Sequence, residues 1–271
     1  MSRIENCFKH LKSQSKKAFI PYLTAGDPNL EISLKLMHAL VEAGADIIEL
    51  GFPFTDPSSD GPVIQRAVER SLAKHTRLKD VLALIERFRQ ENQDTPIVLM
   101  GYLNPIESMG YQAFVEKAEL AGVDGVLVVD MPPEEAHDLL KIIHASKMDC
   151  IFLVAPTTNE ERARQICKLS SGYVYYVSLK GVTGASHLDI DSVRTNVERL
   201  KSYCGLPVGI GFGIKDTDIA AKLGEIADAI VVGSALVNLI AELEDGRDYS
   251  HEELSEHIAL MADMSRALNP S

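Results

Sequence analysis

The chain switches repeatedly between two periodicities. Ala18 to Leu23 (AFIPYL) is a short continuous apolar run closed by the turn Gly26-Asp27-Pro28, the signature of a buried strand. From Ile32 the spacing becomes helical, with Ile32, Leu36, Ala39, Leu40 and Ala43 on one face and Gly44 placed to end the helix. Ile47, Ile48 and Leu50 then form a second run, bounded by Gly51 and Pro53. The alternation continues with helices over Val63 to Ala73 and Leu78 to Phe88, a strand over Pro96 to Met100, a helix over Tyr111 to Leu120 stopped by Gly122, and a strand over Gly125 to Val129. Glu134 to Ile143 reads as helix, Cys150 to Val154 as strand, Glu160 to Leu169 as helix, Tyr173 to Ser178 as strand and Ile190 to Leu200 as helix. Pro207 to Ile210, Ile219 to Leu223, Ala229 to Val232 and Ala235 to Ile240 complete the series. A short helix with apolar Ile4, Phe8 and Leu11 precedes it, and an amphipathic helix around Leu254 to Ala267 follows the polar stretch Glu244 to Ser250.

A strand joined to its parallel neighbour through a helix cannot use a tight turn, so eight such units imply a parallel sheet covered on both faces. An α/β fold of the closed (β/α)8 TIM-barrel kind is expected over an open doubly wound sheet, because the count is eight and the 271 residues lie near the roughly 250 that such barrels use. The chain is expected to form a single domain, 1–271, with the N-terminal helix capping the barrel's foot and extra helices beyond the eight units.

Charge narrows the partners. Lys and Arg number 27 against 39 Asp and Glu, a net −12, with no basic run, so neither nucleic acid nor an anionic membrane surface is expected. Cys7, Cys150, Cys167 and Cys204 are scattered without a CxxC, which argues against zinc or a disulfide framework and predicts small, inert thiols in a reducing compartment. The first residues lack the apolar core of a signal peptide and no run reaches the roughly 18 residues of a membrane span, so a cytoplasmic protein is expected.

The unusual stretch is Asp46 to Pro62, DIIELGFPFTDPSSDGP. Glu49 sits inside an apolar strand, where an unpaired carboxylate costs several kcal/mol or shifts to its neutral form. Asp60 follows on an irregular Pro- and Ser-rich segment. Two acids in different settings are a usual source of an acid and a base in one site. Blander readings stand beside this one: Glu49 as a solvated or Lys-paired strand-end residue, Asp60 as the cap of a helix starting near Pro62, and Asp56 as a turn residue.

In a barrel, chemistry gathers where strands end. Gly101-Tyr102-Leu103-Asn104-Pro105 and Asp130-Met131-Pro132-Pro133 read as short rigid loops, and Leu179 to His187 as a lid. Gly209-Ile210-Gly211-Phe212-Gly213 and Val231-Val232-Gly233-Ser234-Ala235 bring glycine turns to the last two strands, where backbone N–H groups can approach a phosphate; glycine at a tight corner is the structural alternative. A Schiff-base aldolase using Lys180, and an interaction subunit docking through the proline loops, are the rival functions.

The segments PYLTAGDP from Pro21, ELGFPFTDPSSDGPVIQRA from Glu49, GVTGA from Gly181, GFGI from Gly211 and GSALV from Gly233 closely resemble the tryptophan synthase α-subunit family, over essentially the whole chain. The resemblance implies a TIM barrel that cleaves indole-3-glycerol phosphate to indole and glyceraldehyde 3-phosphate, with no cofactor in this chain and no metal. It further implies a partner β subunit carrying pyridoxal phosphate, in an αββα heterotetramer. By residue it implies Glu49 as general acid and base at indole C3, Asp60 as the acceptor of the indole N–H, and Thr183 as the lid residue that meets Asp60. Tyr22, Met100, Leu127, Val129, Leu153 and Phe212 would line the indole slot, with Tyr175 on the glycerol side and Gly184, Gly213, Gly233 and Ser234 on the phosphate. Pro53, Phe54, Asp56, Asn104 and Pro132 would face the partner. Ser58, Ser59 and Tyr22 depart from the commoner pattern, Tyr22 standing in place of a frequent Phe.

Overall fold

The computed structural model describes residues 1–178, 189–211 and 213–270. Helix α1 (Arg3–Ser13) leads into β1 (Ala18–Thr24), α2 (Leu30–Glu42), β2 (Ile48–Gly51), α3 (Pro62–Ala73), α4 (Leu78–Glu91), β3 (Ile97–Gly101), α5 (Leu103–Met109), α6 (Tyr111–Ala121) and β4 (Gly125–Val128). Then come α7 (His137–Ile143), β5 (Asp149–Cys150), β6 (Leu153–Val154), α8 (Glu160–Leu169), β7 (Val174–Val177), α9 (Ile190–Lys201), β8 (Val208–Gly211), α10 (Thr217–Gly224), β9 (Ala229–Val232), α11 (Ser234–Ile240), α12 (His251–His257) and α13 (Ala259–Leu268).

Every strand pair is parallel, and the order runs β5-β4-β3-β2-β1-β9-β8-β7-β6. Its two ends belong to one extended stretch: the N–H of Ile151 donates to Val126 O at 2.9 Å, and Phe152 O accepts from the N–H of Tyr175 at 3.1 Å. The stretch 149–154 is therefore a single stave that pairs on both sides and closes the ring as an eight-stranded α/β barrel.

The period of two along each strand divides the apolar residues into two sets. Phe19, Leu23, Ile48, Leu50, Ile97, Leu99, Val126, Val128, Ile210 and Ile230 point outward into the core shared with the helices. Ala18, Ile20, Ile47, Val98, Leu127, Ile151, Tyr173, Tyr175, Ala229 and Val231 fill the interior. The same interior cluster includes Ile4, Phe8 and Leu11, so α1 closes the barrel's foot with the face its sequence predicts. It is tied there by Arg3, whose guanidinium meets one oxygen of buried Asp124 at 2.7 Å while Arg89 meets the other at 2.7 Å.

Three expectations need correction. Asn104 and Pro105 are not loop: they lie in the first turn of α5, where a proline's missing N–H has no intrahelical partner to lose. Helix α7 starts at His137 instead of Glu134, because Pro132 and Pro133 open turns in which their carbonyls accept from the N–H groups of Glu135 and Ala136 at 3.0 and 3.3 Å. The last helix is two, broken at fully buried Ile258 (φ −98°, ψ 18°), which turns Met261, Met264 and Leu268 onto α10. No helix among the described residues is long and apolar enough to cross a membrane.

Candidate active site

Glu49 occupies the middle of β2 between Ile48 and Leu50, which point outward, so its side chain points into the barrel. It is 0% exposed. Its register partners are Tyr22 on β1 and Val98 on β3. The hydroxyl of Tyr173, just ahead of β7 on the same interior face, donates to Glu49 Oε1 at 2.5 Å. Oε2 is buried with no hydrogen-bond partner among the described residues. Burial raises the carboxyl's pKa to about 7, against a smaller lowering by the Tyr173 hydrogen bond. Glu49 thus divides its time between acid and carboxylate near neutral pH. The readings of Glu49 as solvated or lysine-paired fail on this geometry.

Asp60 is held on the segment between β2 and α3. Its Oδ2 accepts from the hydroxyl of Tyr102 at 3.0 Å, and that same hydroxyl accepts from the N–H of Ser59 at 3.0 Å. Gln65 donates to Asp60 O at 2.8 Å. The residue ahead of α3 is Gly61, and no side chain caps that helix, so Asp60 is not its cap. Burial pushes the Asp60 carboxyl above its ordinary value, with the Tyr102 hydrogen bond acting in the opposite direction.

The two acids converge on one group. The Tyr22 hydroxyl, 3.2 Å from Thr24 Oγ1, has its ionisation opposed first by burial and also by the charges of both Asp60 and Glu49. Tyr175, equally buried, is affected by Glu49 and Tyr22. Glycines make room for these rings: a Cβ on Gly51 would lie 2.2 Å from Tyr22 Oη, and one on Gly211 would lie 1.8 Å from Tyr175 Oη. Met100, Leu127, Val129 and Leu153 belong to the same interior face, with Leu127 fully buried and the other three half-buried. The result is an apolar interior face with one carboxyl group on it and a second close enough to act on the Tyr22 hydroxyl.

At the last two strands, Gly213 has a left-handed φ of +79° and is exposed. Gly233 precedes α11, whose first turn begins at Ser234 and receives no side-chain cap. Backbone donors of that turn are left for another acceptor. Thr183, Gly184, Phe212 and Lys180, with the rest of the expected lid at 179–187, lie outside the described residues. Among the residues expected to face a partner, Asp56 and Asn104 are exposed, and Pro132 is half-buried. Phe54 is half-buried with its ring 5.4 Å from that of Tyr102, whereas Pro53 is buried within the chain.

Sequence reasoning missed Tyr173 and Tyr102, the tyrosines that hold the two acids. A signal existed for Tyr173, which shares the inward face of Tyr175 two residues away. Tyr102 carried none beyond its place beside Gly101.

The chain is similar along its whole length to proteins of one family. The family described as Tryptophan synthase alpha chain matches residues 8–267. The tryptophan synthase alpha chain of Thioalkalivibrio sulfidiphilus is 53% identical over 269 residues, covering 99% of this chain and 100% of that one. That of Nitrosococcus oceani is also 53% identical over 269 residues, covering 99% and 98%. The crystal structure of tryptophan synthase subunit alpha from Legionella pneumophila str. Paris matches with a TM-score of 0.90 at 41% identity over 100% of both chains. A barrel with one buried and one rim carboxylate, matched along its whole length by such relatives, belongs to the tryptophan synthase alpha chain family.

Proposed function

We propose that the chain is a carbon–carbon lyase that splits indole-3-glycerol phosphate into indole and glyceraldehyde 3-phosphate, the α reaction of tryptophan biosynthesis. The observation that carries this is Glu49, wholly buried on the apolar inner face of the barrel, with its pKa raised by burial to about 7. As an acid it protonates indole C3, leaving positive charge on the ring nitrogen. Asp60, as carboxylate, accepts the indole N–H and stabilises that charge. The carbinol hydroxyl next to the ring then gives its proton to the Glu49 carboxylate as the C–C bond breaks. The bonding pair returns to the indole ring, and the oxygen becomes the aldehyde. Glu49 ends in the state in which it began, so the proton transfers balance without a cofactor in this chain.

Tyr22, Met100, Leu127, Val129, Leu153 and Phe212 enclose the ring in this reading, and Tyr175 and Thr183 contact the rest of the substrate. Gly184, Gly213, Gly233 and Ser234 bind the phosphate through backbone donors, supported by the uncapped first turn at Ser234. Docking on a β subunit that carries pyridoxal phosphate, in an αββα assembly, belongs to the same reading. Exposed Asp56 and Asn104 on the site's rim support it, while buried Pro53 can only shape that surface from beneath. The chain acts as one cytoplasmic domain.

The test is to mix the purified protein with indole-3-glycerol phosphate and follow free indole, alone and with a tryptophan synthase β subunit. Indole release that rises with the β subunit is expected. No indole under either condition would overturn the assignment. A substrate adduct trapped by borohydride on Lys180 would replace it with Schiff-base chemistry.

A further inference from the structure

A groove of ≈ 870 Å³ opens at the barrel's foot, at the opposite end of the strands from Asp60. It is bounded by α1 and by the segments that enter β1, β7 and β8. Its apolar lining is Phe8 and Leu11 on α1, both buried, with half-buried Leu206 and Pro207 ahead of β8. Its charged lining is five lysines against three acids, a local positive surplus in a chain of net −12. The acids are engaged: Lys9 meets Glu5 at 2.7 Å, Lys201 meets Asp228 at 2.9 Å, and buried Asp149 accepts from the Ser2 hydroxyl at 2.5 Å. Lys12, Lys16 and Lys17 form no salt bridge among the described residues, although Lys16 also acts on half-buried Asp46. Ser15, with a left-handed φ of 57°, folds the chain back so that the Lys16 N–H donates to Leu11 O at 2.9 Å. That turn sets lysine charge beside the apolar lining. Gly205 leaves the groove open next to Leu206, since a Cβ on it would meet nothing within 4 Å.

We infer that this groove is a second binding site, for an aromatic ring that carries a phosphate. Its volume lies in the range of about 300–1,000 Å³ typical of small-molecule sites, far more than a bare phosphate fills. Lys12, Lys16 and Lys17 repel one another across it, and an anion among them relieves that repulsion. Each ammonium is a point charge on a long flexible stem, so the three can close on one phosphate without a preformed cage. The engaged acids leave little negative charge free to compete for them. A neutral ring would leave the lysines facing one another, and inorganic phosphate would leave Phe8, Leu11, Leu206 and Pro207 in water. The ring and the anion together satisfy both linings. The site lies at the other end of the barrel from Glu49 and owes nothing to its chemistry.

The experiment acetylates the full chain briefly with an N-hydroxysuccinimide ester, alone and with 2-naphthyl phosphate, inorganic phosphate or 2-naphthol, and reads each lysine by mass spectrometry. At about 1 mM, 2-naphthyl phosphate should slow acetylation of Lys12, Lys16 and Lys17 at least about threefold, as a Kd below about 0.5 mM requires. Lys79 and Lys117, exposed on α4 and α6, should react as before. Inorganic phosphate and 2-naphthol should each protect the three lysines less than the joined molecule does. Gly205→Glu puts a negative charge into open space, and Lys12→Glu reverses one of the charges in the groove. Each should raise the Kd read from protection of Lys16 and Lys17 at least about fivefold, and neither should change indole release. No protection at the foot, equal protection of Lys79 and Lys117, equal protection by inorganic phosphate, or wild-type protection in both variants would overturn the inference. Because the readout is lysine reactivity, loss of the proposed indole chemistry would leave this result standing.

Discussion

Replacing Glu49 by Gln tests burial and chemistry together. In the folded chain the Glu49 pKa rises from 4.5 to about 7, which at roughly 1.4 kcal/mol per unit corresponds to about 3 kcal/mol between folded and unfolded states. The sign follows from proton binding. Between the two pKa values the folded protein holds a proton on Glu49 that the unfolded chain has released, so folding is favoured at low pH. That contribution is complete below about 4.5 and is lost as pH rises through about 7. Gln cannot titrate. Its amide oxygen still accepts from Tyr173, and its NH2 takes the place of Oε2, which has no partner among the described residues. That unsatisfied donor costs about 1–3 kcal/mol at every pH, a constant offset. The stability difference between Glu49→Gln and wild type should therefore shift by about 3 kcal/mol in the variant's favour from pH 5 to pH 8.5. Urea unfolding at a series of pH values measures it. Parallel curves for the two proteins would refute the raised pKa, and with it the reason for placing the general acid here. The same variant should release indole at least about a hundredfold more slowly.

Asp60→Asn should lower indole release by a similar factor of at least about a hundred, and near-normal turnover would remove Asp60 from the reaction. Tyr102→Phe deletes the hydrogen bond that opposes the effect of burial on Asp60. The Asp60 pKa should climb further, moving the acid limb of kcat/KM to higher pH; an unmoved limb would mean that Tyr102 does not tune it. Arg89→Leu breaks a buried ion pair with Asp124 and removes Arg89's bonds to the carbonyls of Gly122, Asn92 and Thr95. It should cost about 3–5 kcal/mol in urea unfolding, and a loss below about 1 kcal/mol would show that Arg3 compensates for it.

Glu49 was legible in the sequence because its neighbours are not ambiguous: a carboxylate between Ile48 and Leu50 must face the opposite side from them, and in a barrel that side is the interior. Tyr175, Leu127 and Met100 were named only through the family resemblance, and the structure finds them on the inner face with the period of two that their strands require. What pattern could not supply was which residues meet across the barrel. Tyr173 is 124 positions from Glu49, and β2 and β7 are not neighbours in the sheet, so no local rule joins them. Helix α5 was hidden for a different reason. Asn-Pro reads as a turn wherever it occurs, and only the start supplied by Gly101 and Tyr102 decides whether the proline falls in a helix's first turn, where it does no harm.

The two acids share one device, a tyrosine hydroxyl on the carboxylate, yet they differ in what surrounds it. Burial and a nearby carboxylate both hold the Tyr173 and Tyr102 hydroxyls in their neutral form, so each can donate to its acid and cannot compete with it for negative charge. A donor of this kind favours the ionised carboxylate, while burial favours the neutral acid. On β2 the strand leaves Glu49 no solvent, burial wins by a wide margin, and the group is left where it can both give and take a proton near neutral pH. On the segment after β2, Asp60 keeps partial exposure, so the same hydroxyl is opposed by less desolvation. In the proposed reaction, the different supports, a strand and an irregular rim segment, are thus what would let one pair of similar side chains divide the work of proton donor and charge stabiliser.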